Sequence, residues 1–337
     1  MSGEQRDGEV ERVIKLAESG AAQAIFGPLH RHLAHIQEAF RDPSAPRGAP
    51  AYRLTLDAQG DLLIARARAG GAADVERVQR IVDALADLLR RKGRIREGDV
   101  LAAISFSEGA NDAGAPLTLP QLGGLTLRTP RQVHYVEALR DENFNLIFGV
   151  GPAGTGKTFL AVAAAVEALK QERFDRIIVT RPAVEAGEKL GYLPGDLAEK
   201  VDPYLQPIWD AFRSQMSEND LKARRERRQI EVAPLAFMRG RTLTNAFVIV
   251  DEAQNATILQ MKMVLTRLGE GSRMVVTGDP SQIDLVRIDQ SGLAHAVTIL
   301  EDLPGVEVIR FASQDVVRHR LVAHIIEAYH RDEGGRG

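Results

Sequence analysis

Six short apolar runs punctuate the second half of the chain: Leu146–Val150, Arg176–Thr180, Ile230–Val232, Phe247–Val250, Met274–Thr277 and Val306–Arg310. They are rich in β-branched residues and lack the in–out alternation of a half-solvated strand. That pattern predicts strands buried on both faces, as in a parallel sheet. Helical stretches such as Phe159–Val166 separate them, so strand and helix alternate in the α/β manner. The first half reads differently. Val75, Val78, Ile81, Val82, Leu85 and Leu88 recur at helical spacing and predict a helix from about Ala72 to Arg91. A shorter helical piece follows from Val100 to Phe106. Tyr52–Leu56 and Leu62–Ala65 read as strands joined by the turn Asp57-Ala58-Gln59-Gly60. Residues from about Glu9 to Phe40 read as helical, broken near Gly27-Pro28, and Asp42–Pro50 as a loop.

These readings divide the chain into a small α+β unit (1–106), a linker rich in Gly, Pro, Asn and Thr (107–128), an α/β domain (129–330) and a tail (331–337) expected to fray. A length of 337 residues suits two domains, and 44% hydrophobic with 26% charged residues is ordinary for a chain with a packed core. The net charge of −3 gives no overall basic field, so any nucleic-acid binding must use a local patch. Without cysteine there is neither disulfide nor thiolate–metal chemistry. The charged start and the lack of a long apolar run point to a cytoplasmic protein with no membrane partner. His30, His32 and His35 read as a solvent face of one helix rather than a metal site.

The chemistry is concentrated after the first buried strand. Gly151-Pro152-Ala153-Gly154-Thr155-Gly156-Lys157-Thr158 leads from strand to helix and matches G-x-x-x-x-G-K-[ST] in the context that motif needs. The glycines let successive N–H groups converge, and the helix N-terminus adds partial positive charge, forming a cradle for a triphosphate. Lys157 is placed to reach the β- and γ-phosphates and Thr158 to ligate Mg²⁺, with Phe159 beginning the helix beside the nucleotide. The strand Phe247–Val250 ends in Asp251-Glu252 at the sheet edge where ligands bind in open α/β folds. Asp251 is the Mg²⁺ residue and Glu252 the one that orients and polarises water. The strand Met274–Thr277 runs into Gly278-Asp279-Pro280-Ser281-Gln282, and Gln282 can hydrogen-bond the γ-phosphate or the water; an ordinary Asp-Pro turn is the alternative. Gln132, upstream of the loop, has an amide able to pair with adenine, although taken alone it reads first as an exposed helix glutamine. No Asn-Lys-x-Asp is present, which argues against a GTPase.

With these motifs in order, residues Thr129 to Tyr329 resemble the PhoH-like proteins, P-loop ATPases related to superfamily I helicases. The resemblance extends through Thr180–Gly191, Pro234–Leu243, Asp251–Asn255, Gly278–Leu285 and Asp315–His319. Val286 stands where the family commonly has proline, and Trp209 where it has tyrosine. The family implies a RecA-like core and an ATP- and Mg²⁺-dependent activity directed at single-stranded RNA, helicase-like in some members. The first residues resemble the family's KH-like N-terminal region, without its Gly-x-x-Gly loop. Superfamily I enzymes close two cores around ATP, and the stretch after Gln282 is too short for a second. A neighbouring subunit in a homo-oligomeric ring, such as a hexamer, is therefore expected to supply an arginine. Arg318 is the first candidate, from the Asp315–His319 block, and Arg310 the second. RNA contacts are expected from Arg181, Arg239 and Arg241 near strand ends. The run Lys222, Arg224, Arg225, Arg227, Arg228 reads equally as a phosphate grip or a solvated face. The family's links to an rRNA-maturing endoribonuclease leave an alternative, a nucleotide-dependent adaptor for such an enzyme. A phosphate-responsive ATPase without a nucleic-acid partner is the third reading.

Overall fold

The structure is a computed structural model, and it describes residues 9–16, 21–40, 52–56, 62–68, 72–109, 116–182, 197–283, 291–317 and Ile325. The chain divides into two compact units, 1–130 and 131–337. Among the described residues no helix is long and apolar enough to cross a membrane.

The first unit comprises β1 (Glu9–Lys15), α1 (Ala21–Phe26), α2 (Arg31–Ala39), β2 (Tyr52–Leu56), β3 (Leu62–Arg68), α3 (Ala72–Lys92) and α4 (Glu97–Gly109). A hairpin of β4 (Gln121–Leu122) and β5 (Leu125–Thr126) completes it. The helical expectation for the start of the chain is wrong. Glu9–Lys15 is a strand, antiparallel to β3 from Glu9 opposite Arg68 to Lys15 opposite Leu62. Ile14 and Leu16 are buried while Val13 faces out, the twofold alternation of a strand rather than a helical stripe. Pairing with a distant strand decides the conformation, as it often does for short β-branched segments. The break at Gly27-Pro28 is real, and α2 follows it. The histidines do not share a solvent face. His30 is exposed, but His32 is only 2% exposed, with Nδ1 2.9 Å from the Ile25 carbonyl oxygen, and His35 lies 3.3 Å from Glu97. Ile25, Phe26 and Ile36 share one core cluster with the predicted stripe of α3. α4 starts before Val100 because Asp99 accepts a hydrogen bond from the Arg96 N–H at its first turn. The stretch read as linker holds the end of α4 and the hairpin, with Leu119, Leu122 and Leu127 buried.

The second unit runs α5 (Pro130–Arg140), β6 (Leu146–Val150), α6 (Lys157–Lys170), β7 (Arg176–Arg181), α7 (Leu197–Arg213), α8 (Glu218–Glu226), β8 (Ile230–Pro234) and β9 (Ala246–Val250). It continues with α9 (Ile258–Leu265), β10 (Arg273–Gly278), α10 (Gly292–Leu300) and β11 (Val306–Arg310). All six apolar runs are strands of one parallel sheet, ordered β11-β6-β10-β9-β7-β8. β6, β9 and β10 are buried along their whole length, as their uninterrupted apolar sequences require. β10 lies between β6 and β9, the strand arrangement of a RecA-like core. Val150 stands opposite Gly278, and Val250 opposite both Val276 and Thr180. The strands therefore end at one edge, and the residues just beyond them meet there. Trp209 on α7 is buried, and the Arg225 guanidinium lies 4.3 Å above its ring. Arg224 is paired with Asp220 at 3.1 Å, so part of the basic run is structural; Lys222, Arg227 and Arg228 remain exposed.

Candidate nucleotide-binding site

The glycine loop is held by neighbours from several segments. Gly151 adopts φ +138°, outside the range comfortable for other residues. Its N–H donates to the Gly278 carbonyl at 3.1 Å, the Ala153 N–H donates to Asp279 Oδ2 at 3.0 Å, and the Val317 N–H to the Gly154 carbonyl at 2.9 Å. Gln132 is 5% exposed, so it is not a surface glutamine. Its Nε2 donates to the Thr155 carbonyl at 2.9 Å and braces the loop from α5.

Lys157 opens α6 directly after Gly156. Its Nζ is buried and donates to the Gly151 and Pro152 carbonyls at 2.6 and 2.7 Å. Burial lowers its pKa, and the nearby carboxylates of Asp279, Glu252 and Asp251 oppose that shift. A desolvated ammonium set inside a glycine loop is well placed to exchange loop carbonyls for phosphate oxygens.

Asp251, at the end of β9, is 5% exposed, and its Oδ1 accepts from Thr158 Oγ1 at 2.5 Å and from Thr277 Oγ1 at 2.8 Å. A carboxylate and a hydroxyl side by side are the hard oxygen donors that Mg²⁺ takes together with phosphate, so the residues fit that ion. Glu252 takes a left-handed backbone, φ +51°. Its Oε1 lies 3.4 Å from the Arg181 guanidinium, and its Oε2 accepts from Gln254 Nε2 at 2.6 Å. Gln254 is 1% exposed, and its Oε1 accepts from the Asp279 N–H at 3.1 Å. One buried amide thus ties the end of β9 to the end of β10. Neither Gln254 nor Asp279 stands out in the sequence as a site residue; the signal was their place just beyond two buried strands.

A cavity of about 240 Å³ is lined jointly by Gly154, Lys157, Thr158, Phe159, Asp251, Glu252 and Gln282. Gln282 is exposed at its rim, with its N–H donating to the Asp279 carbonyl at 3.0 Å. The predicted arginines separate. Arg181 faces Glu252, Arg239 is exposed, and Arg241 is committed to both carboxylate oxygens of Glu231 at 2.6 and 2.8 Å. Arg310 pairs with Glu301. Arg318, Val286 and the tail lie outside the described residues.

Residues 124–330 match the family model described as PhoH-like protein. A PhoH-like protein of Synechocystis is 58% identical over 206 residues, covering 61% of this chain and 62% of the relative; the match thus spans less than two thirds of that protein. A PhoH-like protein of Bacillus subtilis is 50% identical over 258 residues, 74% of this chain and 80% of the relative. Among solved structures, the Sulfolobus solfataricus SWI2/SNF2 ATPase core in complex with dsDNA is 16% identical, with a TM-score of 0.35, covering 58% of this chain and 46% of that one. The glycine loop, the two strand-ending acids beside it and the family match over the whole α/β unit agree: the chain belongs to the PhoH-like family of P-loop nucleotide-binding proteins.

Proposed function

We propose that this protein is a Mg²⁺-dependent ATPase of the cytoplasm whose turnover is coupled to single-stranded RNA. The observation that carries the reading is the convergence of Lys157, Asp251, Glu252 and Gln282 on one cavity beside the glycine loop. The loop N–H groups and Lys157 hold the triphosphate and neutralise charge on the β- and γ-phosphates. Asp251 and Thr158 hold Mg²⁺, which when bound supplies further charge neutralisation. Glu252 orients water and accepts its proton, and Gln282 contacts the γ-phosphate side of the cavity. The remaining positive charge comes from the next subunit of a homo-oligomeric ring, with Arg318 as the residue offered.

Steady-state ATP hydrolysis measured with and without single-stranded RNA tests this reading. Hydrolysis that rises with RNA is the expected result. Turnover indifferent to RNA favours an adaptor, and no turnover at all removes the enzymatic reading.

The arginines give a sharper expectation. Arg239→Ala should weaken RNA binding and reduce the slope of log affinity against log salt by about 1. Arg241→Ala should leave that slope alone and lower the melting temperature, because it strands Glu231, whose pKa is held down chiefly by its hydrogen bonds from Arg241. Filter binding across a salt series and thermal melting of both variants check the pair. An equal slope change for both would mean that the Arg241–Glu231 pair opens to RNA.

A further inference from the structure

Directly after β8 the chain makes a single 3-10 turn, Leu235–Met238. Leu235 and Met238 are buried in one core cluster with Met261 and Val264 of α9, while Phe237, between them, is 51% exposed. The turn is anchored on its far side too. The Met238 carbonyl accepts from the Arg241 N–H at 3.3 Å, and the Arg241 carbonyl accepts from the Arg267 guanidinium at 3.3 Å. The phenylalanines all lie within the described residues, and only Phe159 and Phe237 among them are exposed. Phe159 lines the nucleotide cavity. Phe237 has no such employment, and a ring held in water forgoes the stabilisation of burial. The first turn of α9 leaves Ile258 and Leu259 exposed as well, Leu259 by 78%.

Both segments leave the sheet at the edge that holds the nucleotide. Pro234 of β8 stands opposite Arg181 of β7, and Val250 of β9 opposite Thr180. Their charge is one-sided. Neither 232–250 nor 253–269 contains an aspartate or a glutamate, in a chain whose acids outnumber its lysines and arginines, 46 to 43. Arg239 and Lys262 are exposed, and neither is paired with a carboxylate of the described residues. A purely apolar partner needs no such field. A strand of phosphates carrying flat apolar groups needs both the cations and the ring, because every base has a face that stacks on an aromatic.

We propose that this face binds single-stranded RNA, with one base stacked on Phe237 and neighbouring phosphates met by Arg239 and Lys262. The proposal rests on the RNA-coupled reading above and adds the base contact that the arginines alone do not supply.

The test titrates the full-length protein into fluorescein-labelled oligouridylate and into an abasic strand of the same length, followed by anisotropy. Phe237→Ala should bind oligouridylate about 5–150-fold more weakly than wild type, the range of one lost base–aromatic stack. Phe237→Leu should lose as much, and Phe237→Tyr should stay near wild type, because the ring and not the apolar bulk is what stacks. On the abasic strand the three variants and wild type should bind alike. The salt dependence of Phe237→Ala should keep the wild-type slope, whereas that of Lys262→Ala should fall by about 1. Ile299→Ala, an exposed apolar truncation near the end of α10 at the other edge of the sheet, is the control and should leave both strands bound as before. Phe237→Leu gives the same comparison if alanine fails to fold. Wild-type affinity for oligouridylate in Phe237→Ala or Phe237→Leu overturns the proposal, as do equal losses on the two strands. A Phe237→Ala protein that keeps its RNA affinity but changes its mass in sedimentation would mark the face as a contact between copies of the chain, and overturns it too. A wild type with no affinity for oligouridylate sinks the RNA reading itself, and this proposal with it.

Discussion

Replacing Glu252 by glutamine is expected to lower ATP turnover by about 10²–10³-fold while nucleotide affinity stays near wild type. The substitution keeps the size of the side chain and removes only its capacity to take a proton from water. Nothing that holds phosphate is touched: Lys157 remains on the loop carbonyls, and Asp251 keeps Thr158 and Thr277. Backbone strain is no confounder either, since glutamine meets the left-handed φ of +51° about as glutamate does. The electrostatic change is local, because Arg181 loses a carboxylate partner that it approaches only at 3.4 Å. Single-turnover hydrolysis and fluorescent-nucleotide binding separate the two effects. A rate within a few-fold of wild type would remove Glu252 from the chemistry and leave the water to be oriented by Gln282 alone. A parallel loss of affinity would mean that Glu252 shapes the pocket rather than the reaction.

The part of this site that could be read from sequence is the part written locally. Buried parallel strands must be apolar along their length, so β6, β9 and β10 announced themselves, and the motif residues just past their ends followed. What joins those ends is not local. No spacing reveals that β10 inserts between β6 and β9, or that Gln254 and Asp279 tie two loops together through a buried amide. Linear charge clusters misled for the same reason. Arg239 and Arg241 look alike in sequence, yet Glu231 on β8 engages only the second in these contacts. Arg225 looks free until Trp209 from α7 appears beneath it. Gln132 is buried because the glycine loop packs over α5, which its own helix cannot show. At the other end of the chain, Glu9–Lys15 carries helix-compatible residues and is a strand because β3 offers it an edge.

Gly151 is where backbone geometry and function are most tightly joined, and Gly151→Ala is expected to be severe. Two costs add. An alanine at φ +138° is strained, by about 1–3 kcal/mol. Its Cβ would also lie 2.3 Å from the Phe311 carbonyl oxygen, a backbone atom that cannot swing aside as a side chain can. Phe311 is itself fixed: its N–H donates to the Val150 carbonyl at 2.8 Å, and its ring meets Tyr135 edge-on at 5.4 Å between centroids. Relief must come from the glycine loop moving, which spoils the converging N–H groups, or from β11 parting from β6. Gly240→Ala supplies the control, because φ there is +77° but nothing lies within 4 Å of an added Cβ. That variant carries backbone strain alone, about 1–2 kcal/mol, or roughly 2–8 °C in melting temperature for a unit of this size. Gly151→Ala should melt several degrees below it and bind fluorescent ADP at least about tenfold more weakly, a loss of about 1.4 kcal/mol. If the two variants melt alike and Gly151→Ala keeps its nucleotide, the loop does not approach Phe311 as closely as this fold places it, and the preformed phosphate cradle is lost from the argument with it.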